Sequence, residues 1–291
     1  MKLERKHFSL FLTILLGLFL AYRIREELSS IEWSKVDPSY FPAVFLFGVL
    51  AFLAYTAIWY FLLSSIRRVS FWRLVELNLV GSYLSMTLNS AIGGIVKAKY
   101  ALPNWWQSIG IVALVTALEI LPGGIVAIIS GDLIVLPLLL LVLWGIVHED
   151  SLYPLVALPF RLLGKGEWIR NFYLGWKTAK TNGGAFARAT AVAFLQASFL
   201  ALALVVTGGA FGIRVPIEKG LVAVAYSTVI GGVVGTPGGI GGNELGVILA
   251  IGDVSAAATM AFVYKFFTQY IFAILGAIPF YRVLRENGKP L

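Results

Sequence analysis

Long apolar runs dominate this chain, and they constrain its fold more than any motif does. Eight can be drawn: 8–22, 40–63, 74–92, 108–130, 133–147, 189–211, 219–235 and 256–281. A soluble domain is about 45–50% apolar and about 25% charged. Here 59% of residues are hydrophobic and 13% charged, and the mean hydropathy is +0.86. A water-soluble globule of 291 residues has too little interior for so much apolar surface. The sequence therefore reads as all-α, a polytopic membrane helix bundle of six to eight apolar segments in a single transmembrane domain over 1–291. No strand alternation persists, which argues against a β-barrel. There are no cysteines, so neither a disulfide framework nor a thiolate metal site is expected. The first run follows Lys2, Arg5 and Lys6 and resembles a signal peptide. Arg23 and Arg25 follow it in place of a small-residue cleavage pattern, so it reads as an uncleaved first helix.

The few charges carry the topology. The net charge is +8, and in a membrane protein basic residues gather on the cytoplasmic flanks of the spans. Nucleic-acid binding is not expected, because no basic helix or RNA-binding motif is present. If all eight segments span, Lys and Arg divide evenly between the two sides, 11 and 11. Two segments, 74–103 and 219–252, are broken by glycines. If these dip in and return, six spans remain. The side holding both termini then collects 17 basic residues, and the other holds 5: Arg23, Arg25, Lys35, Arg214 and Lys219. That asymmetry favours the re-entrant arrangement in the cell membrane, with both termini cytoplasmic. The polar connection 148–188 carries Trp168, Phe172, Tyr173 and Trp176 on one helix face. That face suits either the headgroup region or packing on the protein's own loops.

The halves align at an offset of 146, as pseudo-repeats of about 1–130 and 133–283. The span 41–63 falls on 187–209, and the broken segment 74–94 on 220–240. Glu119 falls on Lys265. Three spans per half is odd, so the halves would lie in opposite orientations. Inverted repeats with broken helices at matching positions mark transporters, with the site near the repeat interface. Unpaired backbone groups at such breaks are tolerated only against protein or a watery cavity. A helix starting after the break points its positive end at whatever fills that cavity. The alternative use of the glycines is tight helix packing.

Candidate binding residues follow from this pattern. Glu119 and Lys265 sit mid-span, where an isolated charge costs at least about 2.5–3.5 kcal/mol. They line a polar cavity, pair with each other, or lose their charge. Glu244 follows the run Pro237, Gly238, Gly239, Gly241, Gly242 and Asn243, and either caps the following helix or meets a substrate amine. Lys97 and Lys99 follow Gly93 and Gly94; they hold a phosphate or are ordinary flank residues. Asn89, Ser85 and Gln269 are further lining candidates. No cofactor is implied. His7 and His148 are too far apart to cluster as metal ligands. His148, Glu149, Asp150 and Ser151 are sequence neighbours, which is not triad geometry. There is no Walker A sequence, and the glycine run lacks dinucleotide-site spacing.

These residues resemble the lysylphosphatidylglycerol synthase transmembrane-domain family, also called the flippase-like domain family. The resemblance covers most of the chain. It rests on Pro237–Glu244 followed by Tyr264 and Lys265, on Gly93 and Gly94 with Lys97, and on Glu119. Two positions depart: Ile95 stands where the family often has an acid, and Ile120 where it usually has arginine. The resemblance implies lipid handling: movement of a phospholipid or lipid-linked headgroup between leaflets, with membrane lipids, anionic or lipid-linked, as partners. The family's aminoacyl-transferase activity resides in a separate C-terminal domain and is not expected here, so the chain reads as a non-enzyme. The alternative is an enzyme, or enzyme subunit, that modifies a lipid headgroup. Its best acids, Glu149 and Asp150, show no convergent partners in the sequence.

Overall fold

The computed structural model describes residues 11, 13–22, 25, 29, 31, 33–102, 104–132, 136–234, 236–239, 241–252 and 254–285. Lys2, Arg5, Lys6, His7, Arg23 and Lys289 lie outside the described residues. In hydrocarbon a chain must satisfy its own backbone, and apolar runs do so as helices. The helices are α1 (Thr13–Tyr22), α2 (Phe41–Ser64), α3 (Phe71–Thr87), α4 (Ser90–Ala101), α5 (Trp105–Ile129) and α6 (Leu136–Val147). They continue as α7 (Glu149–Leu162), α8 (Gly166–Lys180), α9 (Gly183–Ala210), α10 (Ile217–Val234), α11 (Gly242–Ile251), α12 (Val254–Lys265) and α13 (Ile271–Arg285). A π-helical turn, Phe266–Tyr270, joins the last two. No strand occurs among the described residues. Five helical stretches are long and apolar enough to cross a membrane, or six if α6 and α7 form one bent crossing. The protein is a multi-pass, all-α membrane bundle.

Its central seam is α2 against α9. Tyr40, just before α2, meets Gly209 at the end of α9, and Arg188 near the start of α9 lies over Phe61 near the end of α2. The two helices are therefore antiparallel. The buried stripe Ala185, Ala189, Ala193, Ala197 and Ala201 recurs every four residues along α9. Small residues at that spacing let the backbones approach, which is how helices associate where lipid offers no hydrophobic drive. Outward faces keep Phe45, Leu46, Leu195, Ile274 and Ile278 exposed, as lipid contact requires.

Both glycine-broken segments fold back as helical hairpins. In the first, Gly93 of α4 lies against the Gly81 backbone of α3. In the second, Gly242 and Gly246 of α11 lie against Gly231 and Ser227 of α10. Lys219 Nζ donates to the Ile251 carbonyl at 3.4 Å, so the second hairpin ends where it began. Because α2 and α9 are antiparallel, the hairpins that follow them start from opposite ends of the bundle. They meet tip to tip, with Met86 against Gly238. Shifting the starts of α2, α3 and α5 by 146 gives 187, 217 and 251, against helix starts at Gly183, Ile217 and Val254. Packing partners also exchange: α3 lies on α13, and α10 on α5.

One apolar run builds something other than a straight crossing. α6 has 12 residues, about 18 Å, and α7 leaves it at 112°. The polar run His148–Glu149–Asp150 ends the apolar helix, and Lys180 caps the corner by donating to the Ile146 carbonyl and the Glu149 carboxylate. In the polar connection the aromatic face packs on protein. Trp168 stacks on Trp106 with centroids 4.7 Å apart, Tyr173 lies on Tyr153, and the Phe172 backbone crosses Gly110 of α5.

At the exposed end of α7, Asp150 accepts hydrogen bonds from Lys177, at 2.8 Å, and from Tyr173. Lys177 first, and Tyr173 second, hold its carboxyl below the usual carboxylate range. A depressed carboxyl stabilises the fold above its unfolded value near 4, and that contribution disappears as pH falls through the lowered folded value. Hydrogen exchange, corrected for intrinsic rates, should show α7 equally protected at pH 8 and pH 5 and less protected below about pH 4. Asp150→Asn should expose α7 at neutral pH to a similar degree.

Candidate functional site

The hairpin tips build the site. The second tip is a turn that only glycines make easily: Gly238, Gly239 and Gly241 have φ of 63°, 64° and 82°. Asn243 Nδ2 donates to the Gly238 carbonyl at 3.0 Å, and Ser227 Oγ to the Asn243 carbonyl at 2.8 Å. These bonds satisfy backbone that the break leaves open. Glu244 has two jobs. One carboxylate oxygen accepts from the Gly241 N–H at 2.6 Å, capping α11. The other accepts from Lys265 Nζ at 3.0 Å.

A cavity of about 830 Å³ lies between the tips, α2, α5, α9 and the last helices. Of the residues singled out from the sequence, Gly94, Lys97, Glu119, Gly238, Gly239, Asn243, Glu244, Lys265 and Gln269 line it, as does Ser85. The others do not. Gly93 and Gly242 are spent on close hairpin packing, and Gly241 caps α11. Pro237 opens the tip turn. Asn89 lies in the first hairpin's bend, where its N–H meets the Leu84 carbonyl. Lys99 lies near the end of α4, over the Trp105 ring.

The mid-membrane charges are not paired as the offset suggested. Lys265 is bound to Glu244, and Glu119 accepts instead from Gln196 Nε2 at 3.1 Å. Lys97 is 3% exposed. Its ammonium donates to Tyr55 Oη at 3.0 Å and lies over the Tyr55 and Trp59 rings, 4.3 and 4.7 Å from their centroids. Among the described residues, neither Lys97 nor Glu119 has a direct ion-pair partner. Each half thus sets one charge on its returning helix and one on the next: Lys97 and Glu119 in the first, Glu244 and Lys265 in the second. The signs are reversed, and only the second pair is closed.

Tyr55, Gln196 and Thr268 line the cavity and escaped the sequence reading. Tyr55 carried no signal among many aromatics. Gln196 did carry one, as an amide within an otherwise apolar run. Thr268, like Gln269, is presented by the π-helical turn after Lys265; such turns recur at functional sites. Trp176 reaches the wall from α8, and its indole N–H has no acceptor among the described residues. Leu138, Leu141, Val142 and Val156 of α6 and α7 make one wall apolar. Glu149 and Asp150, the acids of the enzyme reading, are tied to Lys180 and Lys177. Among the described residues no group of three His, Cys, Asp or Glu could hold a metal. No protein-family model, curated protein or solved structure matches this chain.

Proposed function

We propose that this protein is a flippase-like transporter that moves a phospholipid or lipid-linked headgroup between leaflets. It acts without chemistry, with both termini in the cytoplasm of the cell that holds it in its cell membrane. One observation carries the reading: Lys97 is a buried lysine with no carboxylate in direct contact among the described residues, on the wall of a cavity held between two helical hairpins that start from opposite ends of the bundle. A buried ammonium is expensive unless something anionic reaches it, and a lipid phosphate is the anion a membrane supplies. The polar wall takes the headgroup, and the apolar wall of α6 and α7 accompanies the tails. The equivalence of the halves at an offset of 146 fits an inverted repeat, in which one half rocks against the other around a fixed site. The resemblance to the flippase-like family points the same way.

The test is translocation of acyl-labelled phospholipid in proteoliposomes. Lys97→Met removes a charge-assisted hydrogen bond to phosphate, worth about 1.5–3 kcal/mol. The rate should fall roughly ten- to a hundredfold, while the variant remains monodisperse in detergent. A parent protein that moves no lipid class would reject transport. A changed headgroup in membrane lipids, seen by mass spectrometry on expression, would support the enzyme reading instead.

A further inference from the structure

Accepting the transport reading, on which this rests, we infer that the headgroup is a phosphate–ammonium zwitterion bridging Lys97 and Glu119. The charges around the cavity lead to it. Glu244 and Lys265 neutralise each other at 3.0 Å, with side chains 18% and 2% exposed. Glu149, also on the wall, is bound to Lys180, which leaves Lys97 and Glu119, on the neighbouring helices α4 and α5, as two opposite charges on the wall of one cavity. Each is held in direct contact by neutral groups, Lys97 by the Tyr55 hydroxyl and two ring faces and Glu119 by the Gln196 amide, and the two charges act on each other without a hydrogen bond between them. Two unclosed opposite charges make a poor site for a bare anion, since the phosphate would face Glu119 as well as Lys97. They make an equally poor site for a bare cation, which would face Lys97. A ligand that brings a phosphate to Lys97 and an amine to Glu119 completes both pairs at once and leaves no buried charge unanswered.

The remaining polar wall fits such a group. Ser82, Thr116 and Gln269 line the same space and supply neutral donors and acceptors. Leu138, Leu141, Val142 and Val156 make one side apolar, which favours an aminophospholipid over a soluble phosphate–amine solute. Sign complementarity of this kind sets specificity more than raw affinity. Lys97 therefore serves any phospholipid, and Glu119 distinguishes headgroups with an N–H donor from those without one.

The experiment uses the full chain in phosphatidylcholine vesicles carrying trace acyl-labelled phosphatidylethanolamine or phosphatidylglycerol. The first has the amine and the second lacks it. The parent protein should move the ethanolamine lipid about tenfold faster or more. Glu119→Gln should erase that preference by slowing the ethanolamine lipid alone, whereas Lys97→Met should slow both. Equal rates for the two lipids in the parent protein would overturn the zwitterion assignment while leaving transport standing. So would a lipid preference unchanged in Glu119→Gln. Failure of the parent to move either lipid would overturn the transport reading, and this inference with it. Uptake of soluble phosphoethanolamine without lipid movement would overturn the lipid form of the ligand.

Discussion

Glu244→Ala is expected to destabilise the folded protein by about 3–5 kcal/mol, the range for stranding one partner of a buried ion pair. The substitution leaves Lys265, 2% exposed at its side chain, without an acceptor in the membrane interior. It also removes the carboxylate that caps α11 through the Gly241 N–H, a further loss of about 1 kcal/mol. Lys265→Met should cost less. Glu244 then keeps the Gly241 N–H, and its side chain is 18% exposed, so water can solvate it in part. The double variant Glu244→Gln with Lys265→Met should be more stable than Glu244→Ala, because no buried charge is left unpaired. Thermal unfolding in detergent, followed by loss of the monodisperse peak, orders the three. A Glu244→Ala protein as stable as the parent would mean that Lys265 does not depend on Glu244.

The second large effect is steric. A Cβ on Gly276 of α13 would lie 2.0 Å from the Leu79 carbonyl oxygen of α3, and one on Gly123 of α5 would lie 2.2 Å from that of Leu221 on α10. The obstructing atoms are backbone, so no rotamer change relieves the clash and the helices must part. Overpacking in a core usually costs about 1–3 kcal/mol. Gly276→Leu and Gly123→Leu should exceed that range, because each separates a hairpin from the helix that supports it. The expected readout is loss of monodisperse material. Gly183→Ala and Gly232→Ala meet nothing within 4 Å. They should be neutral or slightly stabilising, since alanine restricts the unfolded chain more than glycine does.

Those glycines show what could be read from sequence and what could not. The glycine run at 238–242 marks the second break itself, whereas the first break falls at Leu88–Asn89 and Gly93 and Gly94 lie inside α4, where they allow close packing on α3 and α5. The basic residues favoured segments that return, and α10 and α11 do fold back so that Lys219 meets the Ile251 carbonyl, although α10 alone is long and apolar enough to cross a membrane. The 146-residue offset placed the second broken segment at 220–240, three residues past the start of α10 at Ile217. Contacts set by the tip geometry were not legible. Gly238, Gly239 and Gly241 aim Glu244 at Lys265 through positive-φ backbone, which no spacing rule supplies. Glu119 therefore paired with Gln196, although the offset alone placed it opposite Lys265. The run 133–147 looked like a short span. Its bend into α7 depends on Lys180, more than thirty residues away, reaching the Ile146 carbonyl. Tyr55 became a partner for Lys97 only because α2 passes beside the first hairpin, and nothing in its own neighbourhood of sequence marks it.

The central claim is that the headgroup passes through the cavity between the hairpin tips, and a thiol block tests it most directly. The chain has no cysteine, so Thr116→Cys places one reactive group on the cavity wall, and Ser198→Cys places a partly exposed one on α9, outside the cavity lining and one turn from the exposed Phe194. Each variant is reconstituted, and its lipid translocation is measured before and after complete reaction with a bulky thiol reagent. Modification at position 116 should abolish translocation, and modification at position 198 should leave it unchanged. Translocation that continues at its original rate after full modification at position 116 would contradict a path through this cavity.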